Sequence, residues 1–378
     1  MTALKRLYIL HKLPTPYNDD LFRALHAEPD VQLQVFHLWR GSGRRPWKTE
    51  LATGYPNYFM NTRFGIDWKT LKTAWADTES MFMIGDWAHV PTIALFLTRF
   101  ARNAPVALWT DTPQEQLRRP FLKRVLRANF LQWLLKRVDV IFGSGQPAKR
   151  ALVGLGAPSE KIVDLQFAVD LERPEQAGQN QEVYEQAKTL RQSVGCDQNG
   201  IVFCMSGTID LDKKAQDLGL RAFAKCYQRT VRPIGLLVAG AGPDISQLEA
   251  LAKELGITES INLLGWREPE QMDAVYTAMD VLLHPAHYDP FPLVVIEAMS
   301  YAKPVIGTST SGTVEERVKG GVNGFAVPPQ DIDAMHFAMM RFIEDPILLE
   351  SANLAARKTA EAWPMSRSVN IIKQALSL

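Results

Sequence analysis

Residues 284–299 (HPAHYDPFPLVVIEAM) carry two carboxylates, Asp289 and Glu297, with seven residues between them. Residues 279–283 (MDVLL) read as a short buried strand, and 292–300 as the first turns of a helix with Pro292 in its entry region. In one continuous helix, eight steps of about 100° would leave the two acids about 80° apart. With Asp289 in the loop and Glu297 inside the helix, they can instead hold opposite ends of one ligand. Between them lies a helix N-terminus, Phe291, Pro292, Leu293 and Val294, whose unpaired amides favour an anion such as a diphosphate, although Pro292 itself has no N–H and removes one donor. His284, His287 and Asp289 imitate a metal box, but His284 ends a strand and no further ligand set is evident, so no metal is expected.

The elements that must present these residues alternate along the whole chain. Short apolar runs at 7–10, 33–38, 81–84, 106–109 and 138–142 alternate with helical patterns, and the plan repeats at 201–205, 235–239, 260–264, 281–284 and 304–307. This is an α/β pattern of two doubly wound parallel sheets, each with a ligand-binding edge at the carboxyl ends of its strands. Residues 167–180 (FAVDLERPEQAGQN) lose apolar periodicity and read as the linker. The expected domains are 1–168 and 169–360, with a last helix in 361–378 that returns to the first.

Composition narrows the function classes. At 378 residues the chain exceeds one ordinary core, and its 46% apolar and 22% charged content suits a globular protein. No stretch approaches a bilayer-spanning run and no signal-like segment opens the sequence, so a cytoplasmic protein is expected. The three cysteines lack metal-binding or disulfide spacing. Residues 1–168 hold 23 Lys and Arg against 14 Asp and Glu, whereas 169–378 hold 19 against 27. The first half can meet an anionic acceptor or membrane; nucleic acid is not expected as a partner. Residues 238–245 (VAGAGPDI) imitate a dinucleotide fingerprint, but Ile245 fills the third glycine, which argues against a nicotinamide enzyme.

Four ordered segments resemble the retaining GT-B glycosyltransferases of the EX7E family (glycosyltransferase family 4-like, glycosyl transferases group 1). Asp289 and Glu297 stand as the acid pair, followed by Ala298-Met299 and by Lys303-Pro304-Val305-Ile306, similar to the family's G-K/V-P-V-I. Residues 206–217 (SGTIDLDKKAQD) look like its G-R-x(5)-K-G-x-D loop, with Gly207 for close backbone approach, Thr208 in place of Arg, and Lys214 as the cation, with Lys213 beside it. Gly240, and then Gly265-Trp266-Arg267, are similar to the strand ends that border the nucleobase, and 311–324 to the G-G-x-x-E loop, with Glu316 as the Glu.

The resemblance implies a GT-B fold, with two Rossmann-like domains facing across a cleft, and retaining transfer of a sugar from a UDP- or GDP-sugar to a hydroxyl acceptor without a bound cofactor or metal. Glu297 would take the ribose hydroxyls, Asp289 the donor sugar, and Lys214 with the amides near Leu293 and Val294 the diphosphate. In the first domain Thr15, Tyr17 and Asn18 would border the acceptor. Asp111 stands where many relatives have a His beside the reacting sugar, as an acceptor contact or base. The acceptor can be lipid-linked: residues 117–139 interleave Arg118, Arg119, Lys123 and Arg124 with Phe121, Leu122 and Trp133, which suits either a peripheral helix on a membrane or a helix with a core face and a solvated face. An epimerase or hydrolase acting on sugar nucleotides, and a non-catalytic donor-binding scaffold, are the alternatives left open.

Overall fold

Apolar strands separated by amphipathic helices build two parallel sheets in the computed structural model, which describes residues 4–40, 50–62, 66–110, 121–197 and 199–378. Two compact units result, Met1–Ala168 with Met365–Leu378, and Val169–Pro364.

In the first unit, strands β1 (Lys5–His11), β2 (Val31–His37), β3 (Asn57–Phe59), β4 (Met81–Ile84), β5 (Val106–Thr110), β6 (Val140–Gly143) and β7 (Ile162–Asp164) lie in the order β3-β2-β1-β4-β5-β6-β7. Every described pair is parallel. Strands buried on both faces read as continuous apolar runs, as in β4 (MFMI) and β6 (VIFG). The order turns about β1 and β4, the switch point where the loops diverge and open-sheet ligands bind. Arg99 is fully buried in the helix Val90–Ala101 and ties it to its surroundings. Its guanidinium donates to the carbonyls of Ala74 (2.9 Å), Asp77 (2.5 Å), Ser80 (2.5 Å) and Pro105 (3.0 Å) and lies 4.5 Å from the Phe82 ring centre. Burial lowers its pKa to about 10, which leaves it charged at neutral pH. The C-terminal helix Met365–Leu376 belongs to this unit. It buries Val369, Ile372 and Leu376, its Ser368 hydroxyl donates to Gln166 O (3.0 Å), and Lys373 pairs with Glu28 (2.5 Å) and Asp30 (2.7 Å).

The second unit repeats the plan. Strands β8 (Ile201–Ser206), β9 (Ile234–Ala239), β10 (Ile261–Gly265), β11 (Val281–His284), β12 (Val305–Thr308) and β13 (Gly324–Val327) order as β10-β9-β8-β11-β12-β13, so its switch point lies between β8 and β11. The two faces of this sheet are filled by separate apolar clusters, one around Phe203, Phe223 and Phe342, the other around Val202, Leu282 and Met299.

Two details depart from the sequence reading. Strands β3, β7 and β13 span only three or four residues and carry no periodicity of their own; each is defined by the neighbour it pairs with. The segment read as linker contains the helix Glu172–Gln179. Pro174 is tolerated there because first-turn amides have no intrahelical partner, and Arg173 fixes the helix by pairing with Asp273 at 2.7 Å. The basic segment forms a helix, Phe121–Arg137, whose Leu131, Leu134 and Leu135 are buried in the core while Trp133 is exposed. Arg118 and Arg119 lie outside the described residues, as do the side chains of Phe121, Leu122, Lys123 and Arg124. Among the described residues no helix is long and apolar enough to cross a membrane.

Candidate functional site

The carboxyl ends of β8 and β11 bring together residues 75 positions apart in sequence. After β8 the chain turns at Gly207 (φ +131°) and crosses the turn after β9 at Gly240 (φ +152°). A Cβ on Gly240 would lie 1.8 Å from Gly207 O, so the two loops meet backbone to backbone, and the amide of Gly207 donates to Ala239 O at 2.9 Å. Asp210 then caps the short helix Leu211–Lys214 by accepting from Lys213 N at 3.1 Å, and Asp244 accepts from Leu211 N at 2.9 Å. Ala215 ends that helix in the left-handed conformation (φ 50°), where the resembled loop has Gly. Thr208, in the Arg position, contributes its carbonyl to Gln216 Nε2 (2.8 Å).

After β11, residues 285–289 are pinned from both sides. The amide of His287 donates to Lys213 O (2.9 Å), the Thr308 hydroxyl to Ala286 O (2.5 Å), and the amide of Gly312 to Asp289 O (2.9 Å). This leaves the Asp289 side chain buried, in contact with the Lys214 ammonium and with His284 Nε2 3.4 Å from its Oδ2. Burial alone would raise the Asp289 pKa, but the His284 contact and the Lys214 charge outweigh it and hold it at about 2. Lys213 points elsewhere: its Nζ is 3.7 Å from Asp210 Oδ2, on a side chain 60% exposed.

Pro292 is the N-cap of the helix Leu293–Ser300, with no side-chain cap, so the first amides of Leu293 and Val294 are left for another acceptor. Phe291 is buried below the Arg317 guanidinium, which lies 5.5 Å from its ring centre and 4.3 Å from that of Trp363. It packs the loop rather than facing outward. Glu297, one turn into the helix, accepts from Tyr276 OH at 2.5 Å. Burial raises its pKa, opposed by that hydrogen bond and by the Arg173 charge. Tyr276 packs at a tilt against Tyr301 (5.0 Å between centres), which donates to Asp273 at 2.6 Å.

On the β10 side, Gly265 turns with φ +68°, Trp266 Nε1 donates to Glu268 (3.2 Å), and Arg267 Nε is buried with no partner among the described residues. His287 Nδ1 is likewise buried and unpartnered. Glu316 lies in the helix Gly312–Arg317. The unit thus joins an ammonium, a carboxylate, helix amides and a second, anchored carboxylate on one sheet edge, a set that can bind a polyhydroxylated anion. Among the described residues no cluster of His, Cys, Asp and Glu is arranged to hold a metal.

The first unit treats its expected residues differently. Thr15 and Asn18 are buried, and Asn18 Nδ2 donates to His11 Nε2 (2.9 Å), so they brace the loop after β1 from below. That bond fixes the neutral tautomer in which His11 Nδ1 donates to Leu13 O (2.9 Å); burial pulls the His11 pKa down to about 4. Tyr17 packs edge-on against Phe167 (5.5 Å). Asp111 lies outside the described residues. Sequence reasoning missed the partners Tyr276 and Arg173, and weighed His284 beside Asp289 only as a metal ligand. His284, at the last position of its strand, carried the one available signal: a polar residue ending an apolar run beside the carboxylate loop.

The glycosyl transferases group 1 family model matches residues 186–359. A D-inositol 3-phosphate glycosyltransferase of Rhodococcus erythropolis is 33% identical over 182 residues, covering 46% of this chain and 40% of that protein. An uncharacterized glycosyltransferase of Methanocaldococcus jannaschii is 29% identical over 162 residues, 43% of this chain and 40% of that protein. These matches span less than half the length of either relative. Among solved structures, HepE of Anabaena in complex with UDP superposes with a TM-score of 0.76 at 17% identity, covering 99% of this chain and 100% of that one. Sucrose-phosphate synthase of Thermosynechococcus elongatus gives 0.74 at 15%, with 98% of each chain covered. Residues 186–359 are therefore similar to the glycosyl transferases group 1, within a chain of GT-B fold.

Proposed function

We propose that the protein is a retaining glycosyltransferase that moves a sugar from a nucleotide diphosphate donor to a hydroxyl acceptor. The observation that carries this reading is the contact of the Lys214 ammonium with the Asp289 carboxylate at the β8–β11 switch point, beside the open amide end of the helix Leu293–Ser300. A free diphosphate sugar can divide that pair, with phosphate on Lys214 and the amides, sugar hydroxyls on Asp289, and ribose hydroxyls on Glu297. In the reaction the bond from the anomeric carbon to the diphosphate oxygen breaks and a bond to the acceptor oxygen forms on the same face. The acceptor proton passes to the departing diphosphate. Charge then grows on the leaving group, where a fixed ammonium and preorganised amides stabilise it. HepE, of the same fold, has been solved with UDP and with UDP-glucose, which favours a UDP-sugar as the first donor to test. Relatives that act on D-inositol 3-phosphate favour a polyhydroxylated acceptor.

The test is incubation with UDP-glucose, UDP-galactose, UDP-N-acetylglucosamine and GDP-mannose, with nucleotide release and product configuration followed by proton NMR. Slow donor hydrolysis with an initially retained anomer supports the transferase. An inverted anomer, C2 inversion of the sugar, or binding of every donor without turnover would refute it.

A further inference from the structure

The switch point of the first unit carries a cluster that none of the roles above uses. Lys12 follows β1, Trp39 follows β2, and Asp86 and His89 follow β4, so three adjacent strands deliver them to one edge. The backbone holds these ends together: Trp39 N donates to Lys12 O (2.9 Å), and Gly85 N to Leu10 O (2.7 Å). A Cβ on Gly85 would be 3.0 Å from Leu10 O and 3.1 Å from the His11 ring, so a glycine lets β4 end close against β1. Asp86 is buried and uses both oxygens, Oδ1 toward Lys12 Nζ (3.2 Å) and Oδ2 toward His89 Nδ1 and the amide of Ala88 (3.2 Å). The carboxylate thereby orients the imidazole and directs its Nε2 away from Asp86. His89 and Trp39 are in edge-to-face contact at 4.6 Å, yet their side chains stay solvent-accessible, Trp39 at 42%.

An exposed indole beside an oriented imidazole and an ammonium matches the two surfaces of a sugar ring, an apolar C–H face and a rim of hydroxyls. Its location, outside the carboxyl ends of strands at a topological switch point, is where an open α/β sheet binds ligand. We infer that Trp39, His89 and Lys12, oriented by buried Asp86, form a saccharide-binding subsite that receives the hydroxyl acceptor. This rests on the transferase reading above and moves the acceptor contacts from buried Thr15 and Asn18 to the residues they brace.

Saturation-transfer NMR and titration with the methyl glycosides of glucose, galactose, mannose and N-acetylglucosamine test it on the full chain. At least one glycoside is expected to bind saturably to the wild type and roughly tenfold more weakly to Trp39→Ala and to His89→Asn, a change that keeps a good helix N-cap residue. Trp39→Phe, which restores a flat face, is expected to recover most of that loss. Affinity for UDP-glucose and GDP-mannose, measured in parallel, is expected to be equal in wild type and variants. Absence of binding by all four glycosides, or unchanged binding in both weakening variants, overturns the subsite. Absence of nucleotide-sugar binding by the wild type instead counts against the donor reading, so the two failures are distinguishable.

Discussion

Asp289→Asn deletes a charge whose energetic role follows from its neighbours. The Asp289 carboxyl is held at about 2 against an ordinary 3.8, because His284 and Lys214 outweigh the effect of burial. A shift of that size corresponds to about 2 kcal/mol favouring the folded ionised form. The sign follows from a depressed folded-state pKa: the contribution is complete above the unfolded value, roughly half lost at pH 3, and gone below about pH 2. The asparagine variant should therefore be about 2 kcal/mol less stable than wild type at pH 7, with the difference shrinking steadily toward acid. Because the chain has two units, the assay is amide hydrogen exchange in Val281–His284 and Ile201–Ser206, which reports opening of the second unit itself. A variant as stable as wild type at pH 7, or a deficit that is the same at pH 7 and pH 3, would refute the reasoning.

Tyr276→Phe removes the hydroxyl that anchors Glu297; loss of a hydrogen bond to a charged group, about 1.5–3 kcal/mol, should weaken donor binding by roughly 10- to 100-fold in calorimetry. Burial already raises the Glu297 pKa, so its carboxylate form disappears on acidification sooner than for an ordinary Glu, and Tyr276→Phe should move the acid limb of donor binding to higher pH. Gly240→Ala places a Cβ 1.8 Å from Gly207 O at φ +152°; it should cost about 1–3 kcal/mol of local stability and reduce donor affinity, and unchanged affinity would show that the crossing of the two loops is immaterial. Arg99→Met strands four carbonyls that now accept from the guanidinium, and should destabilise the first unit by about 3 kcal/mol in urea unfolding followed by amide exchange in β4 and β5.

The sheets were legible because strands buried on both faces must be apolar throughout, and runs such as Ile201–Ser206 and Val281–His284 have no helical alternative of that length. The carboxylate pair was legible because both acids lie in one segment, together with the helix entry that separates them. Partners from other elements were not. Nothing within the local sequence links Tyr276 to Glu297, or Lys214 to the Asp289 carboxylate, since those contacts depend on which strands are neighbours. The same applies to Asp86 and Lys12, which meet because β1 and β4 pair. Asn18 was read as an acceptor neighbour from the resemblance of residues 13–25 to the family's first loop and helix; in the structure it is buried and its amide is committed to His11. Ala215 is the reverse case, a residue whose side chain gives no warning that the backbone takes a left-handed turn there.

Titration of UDP-glucose and GDP-mannose into the intact protein, with Lys214→Ala and Glu297→Ala beside the wild type, tests the central claim most directly. The account predicts saturable binding of at least one nucleotide sugar by the wild type, at least tenfold weaker binding with Lys214→Ala, and none detectable with Glu297→Ala. Binding of equal strength in all three proteins, or by none of them, would contradict it.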